Sequence, residues 1–147
     1  MNARNEGMRK RGNAAAGYSG TPLPKKLGIK AGSTVLLIGA PRGFRPQLGE
    51  LPPKVTFVSR ASKPVDLAVW FVTRRRELEG RMPALAGAAI GLWVAWPKKA
   101  SGVASEVSEN LVRDAGLAHG LVDYKVCAID AVWSGLKFAV RKGDGHK

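Results

Sequence analysis

Thr34-Val35-Leu36-Leu37-Ile38-Gly39 is a short, continuous apolar run that ends in a glycine. A strand wet on one face alternates apolar with polar residues. This run does not alternate, so it predicts a strand buried on both faces, as in a parallel sheet covered by helices. Val55 to Val58, Val65 to Val72 and Gly91 to Trp96 are further strand candidates, the last two again apolar almost throughout. Arg74 to Ala88 carries Leu78, Met82 and Leu85, with Ala89 just beyond, at helical spacing, and Pro83 perturbs it. Ser105 to Ala115 repeats the helical pattern through Val107, Leu111, Val112 and Ala115, with Ser105 as the expected N-cap and Gly116 as the stop.

Two closing strands follow, Val122 to Ile129 and Leu136 to Arg141. In the second, Leu136, Phe138 and Val140 alternate with Lys137, Ala139 and Arg141, which predicts one solvated face. The short link between them predicts an antiparallel pair. Upstream of the opening run, Thr21-Pro22 reads as the start of a short helix through Leu27 that stops at Gly28, and Lys30 to Ser33 reads as a turn. Strands interleaved with helices make this an α/β chain with a mostly parallel sheet. The link from Ala61 to Val65 is too short for an ordinary parallel crossover, which takes at least about 10–12 residues. Either a strand–helix pair is missing and the return is extended, or the second and third strands run antiparallel.

The chain has 147 residues, enough for one domain with a sizeable core. Its expected organisation is a disordered basic tail over 1–17, one α/β domain over 18–142 and a disordered tail over 143–147. Its formal charge is +13, from 24 Lys+Arg against 11 Asp+Glu, which points to an anionic partner, either a small molecule or nucleic acid. The single cysteine, Cys127, excludes an intrachain disulfide and fits a reducing, cytoplasmic compartment. No signal peptide is visible, and the longest uncharged stretch, Met82 to Pro97, contains two prolines and two glycines and is too short to span a membrane.

Two resemblances rest on particular residues. Leu27 to Ser33 running into Val35 to Gly39 resembles the entry to the class I S-adenosylmethionine (SAM)-dependent methyltransferase fold, and so does the final strand pair. The segments GYSGTPLPKKLG at 17–28, LWVAWPKKASGV at 92–103 and KVCAIDAVWSGL at 125–136 resemble an uncharacterised bacterial family, domain of unknown function 3052. Together they imply a small, truncated Rossmann-like, methyltransferase-like sheet with a C-terminal antiparallel strand pair, and no established activity. Against the methyltransferase pattern, Gly39 and Gly43 stand at the outer glycine positions of the first turn, Pro41 replaces the middle glycine, and Leu37 replaces an acidic residue. Where a carboxylate usually holds the ribose at the end of the second strand, this chain offers Ser59 and Arg60. Pro41 lacks an N–H and fixes φ, so SAM is disfavoured and no cofactor is expected.

Ligands of open α/β sheets bind beyond the carboxyl ends of the strands. Those ends deliver Arg42, Arg60, Arg74, Lys98 and Lys99, which form the expected anion site, with Trp133, in a turn, and Trp96 as aromatic wall. Trp93 is expected in the core, Trp96 either there or stacked on a ligand, and Ser101-Gly102 either in a phosphate cradle or an ordinary loop. No His/Cys/Asp/Glu cluster has metal spacing and no nucleophile has an identifiable base, so the catalytic residue is unknown. The leading reading is a degenerate, non-catalytic domain binding a nucleotide or phosphorylated metabolite. The alternatives are a divergent SAM-dependent methyltransferase using Gly39, Pro41, Arg42, Gly43 and Arg60, and a sequence-independent nucleic-acid binder using the tail and Lys25-Lys26.

Overall fold

The computed structural model describes residues 21–60 and 63–140. The expectations for 1–17 and 143–147 lie outside them. A five-residue helix α1 (Leu23–Leu27) leads into β1 (Thr34–Ile38), the opening apolar run. A second five-residue helix, α2 (Phe44–Leu48), precedes β2 (Thr56–Val58), which has three residues. Then come β3 (Val65–Phe71), α3 (Arg75–Leu85), β4 (Ala89–Pro97), a single 3-10 turn (Lys99–Ser101), α4 (Glu109–Leu117), β5 (Leu121–Ala128) and β6 (Trp133–Val140).

The six strands form one sheet in the order β2-β1-β3-β4-β6-β5. β1 is parallel to β2 and β3, and β3 to β4, while β6 is antiparallel to β4 and β5. The α/β class, the parallel sheet and the closing antiparallel pair are as expected. The central strands β1, β3 and β4 are largely buried on both faces, whereas the edge strand β5 leaves Val122, Tyr124 and Val126 exposed. Trp70, Leu78, Met82, Leu92, Val112 and Phe138 fill one face under α3 and α4, and Leu27, Phe44, Val69, Phe71 and Trp93 fill the other under α1 and α2.

The second and third strands are not antiparallel, since both run parallel to β1. β2 stops beside Leu36, midway along β1, and β3 begins at the far end of the same strand. The path crosses two strand spacings of roughly 4.8 Å and drops back by about three residues, within the roughly 20 Å that six extended residues span. No helix is needed because β2 is so short.

Three local expectations are corrected. Ser108, not Ser105, is the N-cap of α4, its hydroxyl accepting from Leu111 N at 3.3 Å. Ser105 instead accepts from Val107 N at 3.0 Å and leaves residues 103–107 as a loop. Gly116 does not stop the helix; it is buried inside α4, where any Cβ would overlap the Phe138 ring. The Lys137 face of β6 is half-buried rather than open to solvent, the Lys137 ammonium donating to Leu27 O at the end of α1 at 3.3 Å.

Candidate functional site

Strand order places the site. From β1 the chain crosses by way of α2 to β2 on one side, and from β3 it crosses by way of α3 to β4 on the other. The two crossovers lie on opposite faces, so the connections reverse between β1 and β3, the point at which open α/β sheets bind ligands beyond the carboxyl ends of their strands.

Gly39 closes β1 at φ +69°, and a Cβ built there would lie 2.7 Å from the Phe71 carbonyl oxygen at the end of β3. A side chain is therefore excluded twice, by the backbone angle and by contact. Pro41 O accepts from Phe44 N at 3.0 Å, closing a tight turn in which Gly43, at φ +95°, has nothing within 4 Å of its missing Cβ. On the β3 side, the chain continues through Thr73 to Arg74, the N-cap residue of α3. The Thr73 carbonyl accepts from Glu106 N at 2.8 Å, and Glu106 Oε1 accepts from Arg75 N at 3.0 Å. One residue thus ties the loop before α4 to both the end of β3 and the start of α3.

Arg42, Arg74, Lys98 and Lys99 follow the carboxyl ends of β1, β3 and β4. Arg60 does not. It shares a recess with Thr34, Lys63, Val65 and Asp66, at the opposite edge, where β1 and β3 begin. The parallel direction of β2 does not rescue Arg60, because a three-residue strand ends before it reaches the carboxyl edge. Trp133 opens β6 and is half-buried, its ring edge-on to Phe71 at 5.0 Å, so it is neither in a turn nor an exposed wall. Trp96 is 6 % exposed and belongs to the core, although it also lines a cavity at the end of β4. Ser101 makes an ordinary loop, its hydroxyl donating to Lys98 O at 2.7 Å and accepting from Val103 N at 3.1 Å.

Further residues also shape this edge. Asp130 accepts from Val132 N at 2.8 Å, from Trp133 N at 2.7 Å and from Gln47 Nε2 at 3.1 Å, fastening the β5–β6 turn to α2. Glu106 offered no signal, since an isolated carboxylate in an aperiodic stretch looks like any solvated loop residue. The groups with shifted titration lie elsewhere. Hydrogen bonding to Arg113 holds the Asp123 carboxyl below its ordinary value. Burial pushes the Cys127 thiol up despite Lys26, Lys125 and Lys137 nearby, in keeping with a structural cysteine. Among the described residues no group of His, Cys, Asp and Glu could hold a metal ion, and no helix is long and apolar enough to cross a membrane.

A mixed sheet of this order, entered through a glycine turn at the switch point, is the Rossmann-like fold of the SAM-dependent methyltransferases. Solved structures similar to the chain bear this out. A type 11 methyltransferase from Sulfolobus solfataricus, described as putative, matches with a TM-score of 0.58 at 12% identity over 85% of this chain and 93% of that one. A SAM-dependent methyltransferase from Aquifex aeolicus matches at 0.53 and 17% identity over 79% and 86%. Magnesium protoporphyrin IX methyltransferase from Synechocystis PCC 6803 matches in its SAM-bound form at 0.53 and 11% identity over 80% and 74%. Its form with bound SAH (S-adenosylhomocysteine) matches at 0.55 and 12% identity over 80% and 78%. No protein-family profile matches the chain, and no curated protein sequence does. The resemblance to domain of unknown function 3052 is therefore not supported by a family match, whereas the methyltransferase-like fold is.

These neighbours correct two expectations. The reading as a non-catalytic anion binder, and the expectation of no cofactor, gave decisive weight to Leu37, Pro41 and Arg60. Neighbours of the same fold crystallised with SAM and SAH favour the methyltransferase alternative instead. The turn after β1 is built with Gly39 and Gly43 at positive φ despite the replaced side chains.

Proposed function

We propose that the chain binds SAM in the crevice between β1 and β3 and acts as a methyltransferase. The observation that carries this reading is the left-handed Gly39, seated against the Phe71 carbonyl at the topological switch point and followed by a turn with open space beside Gly43. The residues fit the cofactor at this turn, where Gly39 and Gly43 would hold it and Thr73 and Arg74 would flank it. They depart from the fold's usual pattern at β2, where Ser59 stands in place of a ribose-binding carboxylate. SAM supplies an electrophilic methyl group on a sulfonium. Transfer to an acceptor that is already nucleophilic needs no base, so the chain's own contribution is to hold two reactants in line and keep water out.

Calorimetric titration with SAH tests the reading. The expected dissociation constant is near micromolar, about −8 kcal/mol. Gly39→Ala places a Cβ against Phe71 O and is expected to weaken binding by about tenfold or more, the equivalent of roughly 1.4 kcal/mol. Absence of heat at millimolar SAH overturns the proposal.

A further inference from the structure

A cavity of about 390 Å³ opens at the carboxyl end of β4, one strand beyond the crevice. Its floor is apolar, with Trp96 and Val107 each 6 % exposed. Its charged lining is Lys98, Lys99, Glu106 and Glu109. The two carboxylates are engaged. Glu106 Oε1 accepts from Arg75 N at 3.0 Å, and Glu109 Oε2 pairs with Arg113 Nη2 at 2.7 Å.

The lysines differ. Neither ammonium has a carboxylate within 4.0 Å among the described residues, yet the backbone that carries them is fixed. Lys98 N donates to Val132 O at 2.7 Å, and Lys98 O accepts from Ser101 N at 3.0 Å and from Ser101 Oγ at 2.7 Å. The far wall is equally well held, through the bond from Glu106 N to Thr73 O. Two uncommitted cations on a rigid turn, above a floor with a buried indole, form a site for a flat apolar group joined to an anion.

We infer that this cavity seats a methyl acceptor bearing a phosphate or carboxylate next to an aromatic ring, with Lys98 and Lys99 holding the anion. The inference rests on the methyltransferase reading and names its acceptor class. Neighbouring strand ends lie roughly 4.8 Å apart, so a ring on the β4 floor presents its substituents to the adjacent β3 end of the crevice.

Phenyl phosphate is the probe, with phenol and inorganic phosphate as controls, titrated calorimetrically in parallel with SAH. Phenyl phosphate is expected to bind about tenfold more tightly than either control, since only it uses both floor and rim. The Lys98→Ala/Lys99→Ala variant is expected to lose about tenfold in that affinity while SAH binding stays within about twofold. A Lys30→Ala/Lys63→Ala variant, which removes two cations from the opposite edge, is expected to change neither. Equal binding of phenol and phenyl phosphate, or an undiminished affinity in Lys98→Ala/Lys99→Ala, overturns the inference and leaves the cofactor reading standing. If phenyl phosphate binds through the two lysines but SAH does not bind at all, the methyltransferase reading fails and with it the role as acceptor.

Discussion

The two faces of the sheet are closed in different ways. On one face α3 and α4, of eleven and nine residues, lay apolar side chains on Trp70, Leu92, Leu136 and Phe138. On the other, α1 and α2 have five residues each and bring few such side chains. A helix that short has no stability of its own. It is held by polar fastenings. Trp93 Nε1 donates to Leu27 O at 2.8 Å and Lys137 Nζ to the same oxygen at 3.3 Å. Lys125 Nζ donates to Lys26 O at 3.0 Å, and Lys26 Nζ to Ala128 O at 3.0 Å. The last carbonyls of a helix lack intrahelical partners and carry partial negative charge, so ammonium and indole donors suit them. Part of the chain's excess of lysine is thus structural, and less of the +13 charge bears on a partner than composition implied.

Predictions that break or sharpen this contrast run from large to small. Gly116→Val is expected to be the most damaging, since its side chain must enter the space of the Phe138 ring. Overpacking of this kind costs about 3 kcal/mol. Urea denaturation measures it, and adding Phe138→Leu is expected to restore part of the loss. Failure of that rescue would mean the apolar face does not close at this contact.

Trp93→Phe removes the better of the two donors to Leu27 O in a fully buried setting. The expected loss is about 2 kcal/mol, with hydrogen-exchange protection falling first at the end of α1. A uniform fall over the whole sheet would contradict the fastening.

Lys137→Met alone is expected to change stability by less than about 1 kcal/mol, because the lost hydrogen bond is offset by relief from ammonium desolvation. Combined with Trp93→Phe it leaves Leu27 O without either donor, so the double mutant is expected to fall about 1 kcal/mol below the sum of the singles. Strict additivity would show that the two donors do not share one acceptor.

The smallest effect concerns Asp123, whose carboxylate bonds Arg113 Nε at 2.8 Å and whose folded-state pKa lies below the ordinary 3.8. A depressed folded pKa contributes stability above the unfolded value and loses it as pH falls through the folded one. Asp123→Asn is therefore expected to lower stability slightly above about pH 4 and to leave it unchanged in strong acid, which flattens the acid limb of the stability profile. Denaturation midpoints across pH 2–7 check this, and an unchanged acid limb would assign it to other carboxylates.

Much was legible in the sequence because it depends on local pattern. Continuous apolar runs marked Thr34–Ile38, Val65–Phe71 and most of Ala89–Pro97 as strands buried on both faces, whatever packs against them. Helical spacing marked α3 and α4, and the short link marked the antiparallel pair. The glycine turn was visible too, but its weight was misjudged. Sequence shows which side chains are replaced, whereas the turn depends on backbone angles at Gly39 and Gly43.

Tertiary structure decided whatever depends on where a strand ends or what covers a face. Arg60 follows a parallel strand, but only a strand that runs the full depth of the sheet delivers its last residue to the carboxyl edge, and β2 has three residues. The period-two pattern of β6 placed Lys137 on the face opposite Leu136 and Phe138, yet pattern cannot tell a wet face from one capped by a helix end that accepts an ammonium. Composition counted the cations. Only the fold separated Lys125 and Lys137, bonded to helix carbonyls, from Lys98 and Lys99, which have no carboxylate partner among the described residues and line the β4 cavity, because pairing is a matter of distance in space and not along the chain.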